Sequence, residues 1–402
     1  MNNSPLEFLA KKYGNVVKYD DNGNIIGIFV RFYKRNSSEL ADELPDHVHP
    51  AFIINGEEQD SILIGKYKVG ENGGFDGPLV SMPNLMPVEY DDVDELLSGI
   101  RSAGNGISGM TCADYGFIKL LAQKEGWTQR GNTYFGQSSH DGNAWAVGYN
   151  IKIGEKRAYN GYLYACLIAH TSAVELRPDN APEYWKQITY IGGVVDMQNY
   201  DNMHQSGGYT ANGTGPLDWY LGNDPGNICD VIGSCYEAQY GYRIVDCELQ
   251  IMENNNAADP NADLSAESSS WKAILPNQSD DGYTLVAPGT TGTLHWNWDG
   301  NKIQLDTQLD QHEGGRVYRT QAFSQITANP ERLPYVPSIV KELGIFPTTD
   351  DKTIGDFEII IGSGEYFPVR GGRYNSVSGA LGRINVTAKR SLVRSGGRAH
   401  SM

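Results

Sequence analysis

The stretch DDVDELLSGIRSAGNGISGMTCADYGFIKLLAQKEGWTQRGNTYFG, residues 91 to 136, decides how the chain is read, because it holds two clear helical patterns and then breaks into loop. Val93, Leu96, Leu97 and Ile100 recur at the spacing that places them on one helical face. Thr111 with Asp114 three positions on is an approximate capping box. Phe117, Ile118, Leu120 and Leu121 carry this second helix towards Gly126-Trp127. From about residue 130 onward Gly, Asn, Ser, Thr and aromatics dominate, and helical patterns almost vanish. The remaining regular segments are short β-like runs, YRIVDCELQIM, YTLVAP and DFEIIIGSG, so a loop-rich fold around small sheets is expected.

Upstream, VVKYDDNGNIIGIFVRFY reads as a β-hairpin, with two alternating apolar runs about a turn at Asp21 to Gly23. AFIINGEEQDSILIGKYKV gives further short strands around Asn55-Gly56. Residues 1–50 are therefore expected to be a separate attachment or oligomerisation segment. Residues 51–402 form the main domain, with an inserted subdomain at about 151–205 marked by the apolar runs LYACLIAHTSAVELRP and ITYIGGVVDM.

Forty-nine acidic against 32 basic residues give a net charge of −17, which disfavours nucleic acid as a partner. The end of the chain departs from this: Arg370, Arg373, Arg383, Lys389, Arg390, Arg394 and Arg398 fall in a stretch with no Asp or Glu. The opening MNNSPLEFLAKKYG lacks a basic start followed by an apolar run, and no segment approaches a membrane span, so neither a signal peptide nor membrane insertion is expected. Five cysteines, an odd number without a CxxC pair, argue for buried thiols rather than a disulfide framework or a zinc site.

Several ordered segments carry a resemblance. Two helices and then a long loop region rich in Gly, Asn and Trp resemble the C-type-lectin-like fold of formylglycine-generating enzymes and their relatives. Ile64 to Val69, IGKYKV, resembles that family's opening strand. GWTQRGNTYFG, Gly126 to Gly136, resembles the segment after its second helix. Gly213 to Ile251 resembles its N-D-x-x-G-x-x-D-x-x-G-N-V-W-E-W stretch, and Val369 to Ser391 its closing R-G-G-x-W strand and loop, with Gly397-Arg398 standing for a terminal G-F-R-like element. Where the family has Asn-Val-Trp-Glu-Trp this chain has Ser234-Cys235-Tyr236-Glu237-Ala238, so the cation site often built there would keep only Glu237. The segment Arg31 to Tyr67 is similar to the lead-in of phage tail proteins and of proteins diversified by retroelements, a branch of the same fold.

This resemblance implies an α+β, C-type-lectin-like fold with two helices, small antiparallel sheets, long loops and a short N-terminal β segment. It implies a non-enzymatic, tropism-determining tail protein on the virion, made in the bacterial cytoplasm. Its partners would be a host cell-surface receptor, protein or glycan, and other tail proteins, and a homotrimer is the implied assembly. The variable region of that branch is the C-terminal R-G-G segment, here about 369–402. The alternatives are an oxidase of the formylglycine-generating family and a bacterial surface-displayed binding protein of the same fold.

The residues themselves bear on these readings. The oxidase uses copper-binding cysteines near its C-terminus, but no cysteine follows Cys247, and His140, His170, His204, His295 and His312 are scattered rather than clustered. Gly362-Ser363-Gly364 lacks the setting of a nucleophile elbow. No cofactor is expected, with structural calcium or iron as the alternative: Glu237 is one candidate ligand. His47 and His49 are others, because alternate residues of a strand point to one side and three symmetry-related pairs would hold one metal. The plainer reading of His47 and His49 is a polar linker before Pro50.

The binding surface is placed at the end of the chain. Arg373, Tyr374, Asn375, Ser376, Ser378, Leu381, Arg383, Asn385, Thr387, Arg390 and Arg394 are the expected ligand-contacting residues. Tyr gives wide amphipathic contact at low entropic cost, Ser and Asn adapt their hydrogen bonds, and Arg anchors acidic or aromatic groups, the mixture found in antibody paratopes. Adenine-directed mutation of Asn codons reaches the same residue types. The alternative reading is a solvated edge loop.

Overall fold

The computed structural model describes residues 4–402 except 73–76, 128, 135, 141–144, 193–207, 311–315, 377–378 and 392–394. The fold is mixed α/β, mostly strands with few helices, in several small sheets and one larger mixed sheet.

Both expected helices form. Val93–Arg101 buries Val93, Leu96, Leu97 and Ile100, and Asp92 caps it by accepting from the amides of Asp94 and Glu95. Cys112–Lys124 begins at a reciprocal capping box, Thr111 Oγ1 accepting from the Asp114 amide at 3.1 Å and Asp114 Oδ2 from the Thr111 amide at 2.9 Å. This second helix is buried on nearly all sides. Gly116 lets it approach another chain segment closely, since a Cβ there would stand 2.1 Å from the Glu342 carbonyl oxygen. Glu342 ends the five-residue helix Ser338–Glu342, which the sequence reading did not anticipate. Pro5–Lys12 is also helical, fixed by the Ser4–Glu7 capping box.

The first hairpin forms as expected, Val16–Tyr19 against Ile25–Tyr33, with Asp20 Oδ1 accepting from the Asn22 and Asn24 amides in the turn. It does not stand apart. Ile25–Tyr33 pairs with Ser61–Lys68, which pairs with Arg398–Ser401, which pairs with Ile107–Gly109, making one five-stranded sheet. Val30 and Phe32 pack into the main core and Phe29, on the other face, into a second cluster, so this strand is covered on both faces and its pairing runs across residue 50.

The larger sheet has twelve strands, centred on Glu365–Arg370, Tyr242–Val245 and Glu248–Ile251. Two of its pairings are parallel, Asp356–Ile361 with Ile384–Ala388 and Ile303–Asp306 with Thr327–Ala328, where only small antiparallel sheets were expected. YRIVDCELQIM is a two-stranded hairpin, turning at Asp246 and Cys247, both with positive φ. The main core joins this sheet to the second helix through Phe117, Tyr242, Trp296 and Val386.

Trp145, Ile151, Tyr159, Tyr164, Cys166, Ala181 and Trp185 form a small separate core around the sheet of Lys156–Tyr159, Tyr162–Cys166 and Trp185–Tyr190, a core that begins ahead of the 151–205 bounds expected for an inserted subdomain. Its expected end, 193–205, lies outside the described residues. Among the described residues no helix is long and apolar enough to cross a membrane.

Candidate recognition surface

The R-G-G turn is where the last part of the chain leaves the sheet. Arg370, fully buried, ends its strand with the guanidinium over the Tyr115 ring, 5.0 Å from its centre. Gly371 and Gly372 follow at φ 79° and 88°, conformations that favour glycine, and a Cβ on Gly371 would meet the Val231 carbonyl oxygen at 2.3 Å. The chain then folds into a tight turn: the Arg373 amide donates to Ser376 Oγ at 3.0 Å, the Ser376 amide to the Arg373 carbonyl at 2.9 Å, and the Tyr374 amide to the Ser234 carbonyl at 2.8 Å. Asn375 is exposed at its tip, and Arg373, Tyr374 and Ser376 are half-buried.

Among the described residues, Arg373, Arg383 and Arg390 do not form an open basic patch. Arg373 Nη2 lies 2.9 Å from both Glu89 Oε2 and the Tyr209 hydroxyl, and Tyr209 packs edge-on against Tyr374 at 4.9 Å between ring centres. Arg383 is buried, donating to Glu358 and to the Tyr236 hydroxyl at 3.2 Å, with Asp356 at 3.6 Å. Arg390 reaches Asp94 Oδ1 at 2.5 Å and Glu365 Oε1 at 3.3 Å, with its guanidinium over the Phe367 ring. Each cationic head is thereby neutralised by a carboxylate from elsewhere in the fold. These pairs carry geometric constraint more than free positive charge.

Asn385 Nδ2 donates to Glu358 Oε2 at 2.5 Å, and Thr387 Oγ1 to Asn385 Oδ1 at 2.7 Å, both on the half-buried face of Ile384–Ala388. Tyr318, on the edge strand Val317–Ala322, is 53% exposed, and burial together with Glu358 raises the pKa of its hydroxyl. Leu381 is different. It is a core residue whose carbonyl accepts from the Tyr115 hydroxyl at 3.1 Å, so its side chain does not face a ligand. Ser378 and Arg394 lie outside the described residues. The structure therefore brings Arg373, Tyr374, Asn375 and Ser376 together in one turn and Arg383, Asn385 and Thr387 in one network, while Arg390 is anchored beside Glu365. Tyr209, Tyr236 and Tyr318 join the surface without having been singled out. They come from distant parts of the sequence, and only the long-range pairing of strands reveals them.

The metal candidates resolve otherwise. His47 and His49 do not alternate on a strand: both turn towards Glu342. His47 Nε2 lies 2.6 Å from Glu342 Oε1. His49 is fully buried, its Nδ1 accepting from the Ala51 amide at 3.2 Å and its Nε2 donating to the Glu342 carbonyl at 3.1 Å. Both ring nitrogens are thus used, and burial lowers its pKa to about 4. A threefold metal at an HxH pair is incompatible with that geometry. Glu237 is fully buried between protein cations. Arg398 Nη2 lies 2.7 Å and Lys68 Nζ 2.8 Å from its Oε1, and Arg398 Nε lies 3.1 Å from Oε2. Burial opposes its charge, but Arg398 and Lys68 outweigh this and hold the carboxyl below the usual range. Both carboxylate oxygens of Glu237 are thus engaged by cations of the protein itself.

Among the described residues no group of three or more His, Cys, Asp and Glu side chains is arranged to hold a metal. All five cysteines are buried and free, and burial pushes the thiols of Cys235 and Cys247 up to about 12 and about 11. Compared with known proteins, the chain matches no family model and no curated protein.

Proposed function

We propose that the chain is a binding protein of the C-type-lectin-like fold that recognises a cell-surface receptor, as a phage tail protein would, through the surface around Tyr374, Asn375, Ser376, Asn385 and Thr387. The observation that carries this reading is the division of labour in the last part of the chain. Arg373, Arg383 and Arg390 are each clamped to a carboxylate of the scaffold, and Gly371 and Gly372 fix the turn. Between these fixed points, Tyr, Asn, Ser and Thr side chains sit at the surface.

A frame held in this way tolerates exchange of the intervening side chains without loss of fold, and it presents them at low entropic cost on binding. The two helices, the pairing of Ser61–Lys68 with Arg398–Ser401, and the loops that follow residue 130 are consistent with the lectin-like reading. Several copies on one particle would convert modest single-site contacts into firm attachment. In this reading the ligand is bound and released unchanged.

The test uses labelled purified chain against a panel of intact bacterial cells and a glycan array. Saturable binding to a subset is expected, weakened by about tenfold or more in Tyr374→Ala, the size of change typical of an aromatic anchor. Absence of saturable binding throughout, or binding indifferent to both Tyr374→Ala and Asn375→Ala, would remove the proposal.

A further inference from the structure

The inserted subdomain raises a separate question, independent of the recognition reading. Among the described residues, seventeen large apolar side chains are exposed, and eight of them lie between Val147 and Tyr190. That concentration, in a unit whose own core holds only seven buried residues, is more than scattered surface hydrophobicity. Six of the eight belong to one antiparallel ribbon. Val147 and Tyr149 lie beside Val174, because the Gly148 amide donates to the Ser172 carbonyl and the Ser172 amide to the Tyr149 carbonyl. Ile153 lies beside Leu167 and Ile168, because the Gly154 amide donates to the Cys166 carbonyl. The pair Asn150–Ile151 with His170–Thr171 joins the two groups. Ile153 is 70% exposed and Tyr149 60%.

We infer that this ribbon is a self-association surface through which two or more copies of the chain meet. Charge selects the occupant. Residues 145–192 hold five basic and four acidic side chains, a net of +1, which leaves −18 for the rest of a chain whose total is −17. Two copies approaching by their acidic bodies repel each other, whereas the near-neutral ribbons meet without that cost. Arg157–Glu155 and Arg177–Asp179 pair within the subdomain, and the remaining three basic and two acidic side chains keep its net charge at +1, too small to select a strongly ionic partner.

The size is also appropriate. Six side chains of this kind, about half exposed, offer on the order of 500 Å² of apolar surface. A standard interface takes about 800 Å² from each partner, so the ribbon with its polar rim suffices. Association of identical patches is the commonest route to a closed homo-oligomer.

Sedimentation velocity on the full chain, over roughly a hundredfold range of concentration reaching about 100 μM, tests the inference. The wild type is expected to sediment as an oligomer that dissociates on dilution. Ile153→Asp with Ile168→Asp is expected to sediment at the mass of a single chain. Ile153→Asp alone, at the most exposed of the six positions, serves as a second variant that disturbs the packing least, and it is expected to weaken association at least tenfold with an unchanged circular dichroism spectrum. A wild type that stays at single-chain mass throughout, or variants that assemble as the wild type does, would overturn it.

Discussion

Arg398 and Glu237, 161 positions apart in the sequence, are locked together with both side chains fully buried, the guanidinium donating to both carboxylate oxygens. Arg398 also donates to the carbonyls of Gly65, Lys66 and Cys229, so one side chain ties the last strand to the strand Ser61–Lys68 and to the loop that carries Cys229. Lys68 completes the group, its Nζ 2.8 Å from Glu237 Oε1.

Removing one partner from such a group strands buried charge. Glu237→Gln is expected to destabilise the chain by about 3–5 kcal/mol in urea unfolding, or to prevent folding. Because protein cations already occupy the carboxylate, neither added calcium nor a chelator is expected to move the wild-type unfolding midpoint through Glu237. A calcium-dependent rise in midpoint that vanishes in Glu237→Gln would contradict this assignment.

Leu381 and Asn375 lie six residues apart but should respond oppositely. Leu381→Ala empties part of the main core and is expected to cost about 2–5 kcal/mol, whereas Asn375→Ala at the exposed tip should stay within about 0.5 kcal/mol of wild type. Equilibrium denaturation of the two variants decides the point. Similar losses at both would mean that the turn is not a separable surface.

These residues show how much was legible in the sequence. Periodicity fixed the helix Val93–Arg101 and capping chemistry the start of Cys112–Lys124, because both are local. The Ser4–Glu7 capping box is an equally local signal for Pro5–Lys12, a helix additional to the hairpin expected in the first fifty residues. The proposed recognition surface rests at the level of sequence on composition alone, the run of Arg, Tyr, Asn and Ser after Gly372. What separates Leu381 from Asn375, or makes Arg383 a buried clamp, is the position of Tyr115 and Glu358, and no local pattern encodes those contacts. The HxH spacing misled for the same reason: Glu342, almost three hundred positions on, engages both histidines.

Those histidines make acid stability informative. His49 has a folded-state pKa of about 4, lowered by burial from an ordinary value near 6.5. The unfolded chain therefore binds a proton there before the folded one does, and stability falls as pH drops from about 6.5 towards 4, by up to about 1.4 kcal/mol per pH unit. His47 acts in the other direction, since the hydrogen bond to Glu342 raises its pKa. Its contribution is complete below about 6.5 and is lost as pH rises through the raised value. Denaturation of wild type and His49→Gln between pH 7 and 4.5 should show a shallower acid slope in the variant. Parallel slopes would exclude His49 as the source.

Gly371 gives a sharper test of the frame. A side chain there adopts an unfavourable positive φ and collides with the Val231 carbonyl, so Gly371→Ala is expected to cost about 1–3 kcal/mol or more and to weaken binding together with stability. Full stability in this variant would show that the turn can rearrange.

The most direct measurement is deep sequencing of the codons for residues 369 to 402, with the flanking locus, across a natural population of the source. The account predicts substitutions concentrated at Tyr374, Asn375, Ser376, Asn385 and Thr387, beside a near-identical template repeat, with Arg370, Gly371, Leu381 and Arg398 unchanged. Uniform variation across frame and surface alike, or an invariant stretch without a template, would contradict the claim that this segment is a diversified recognition surface on a fixed scaffold.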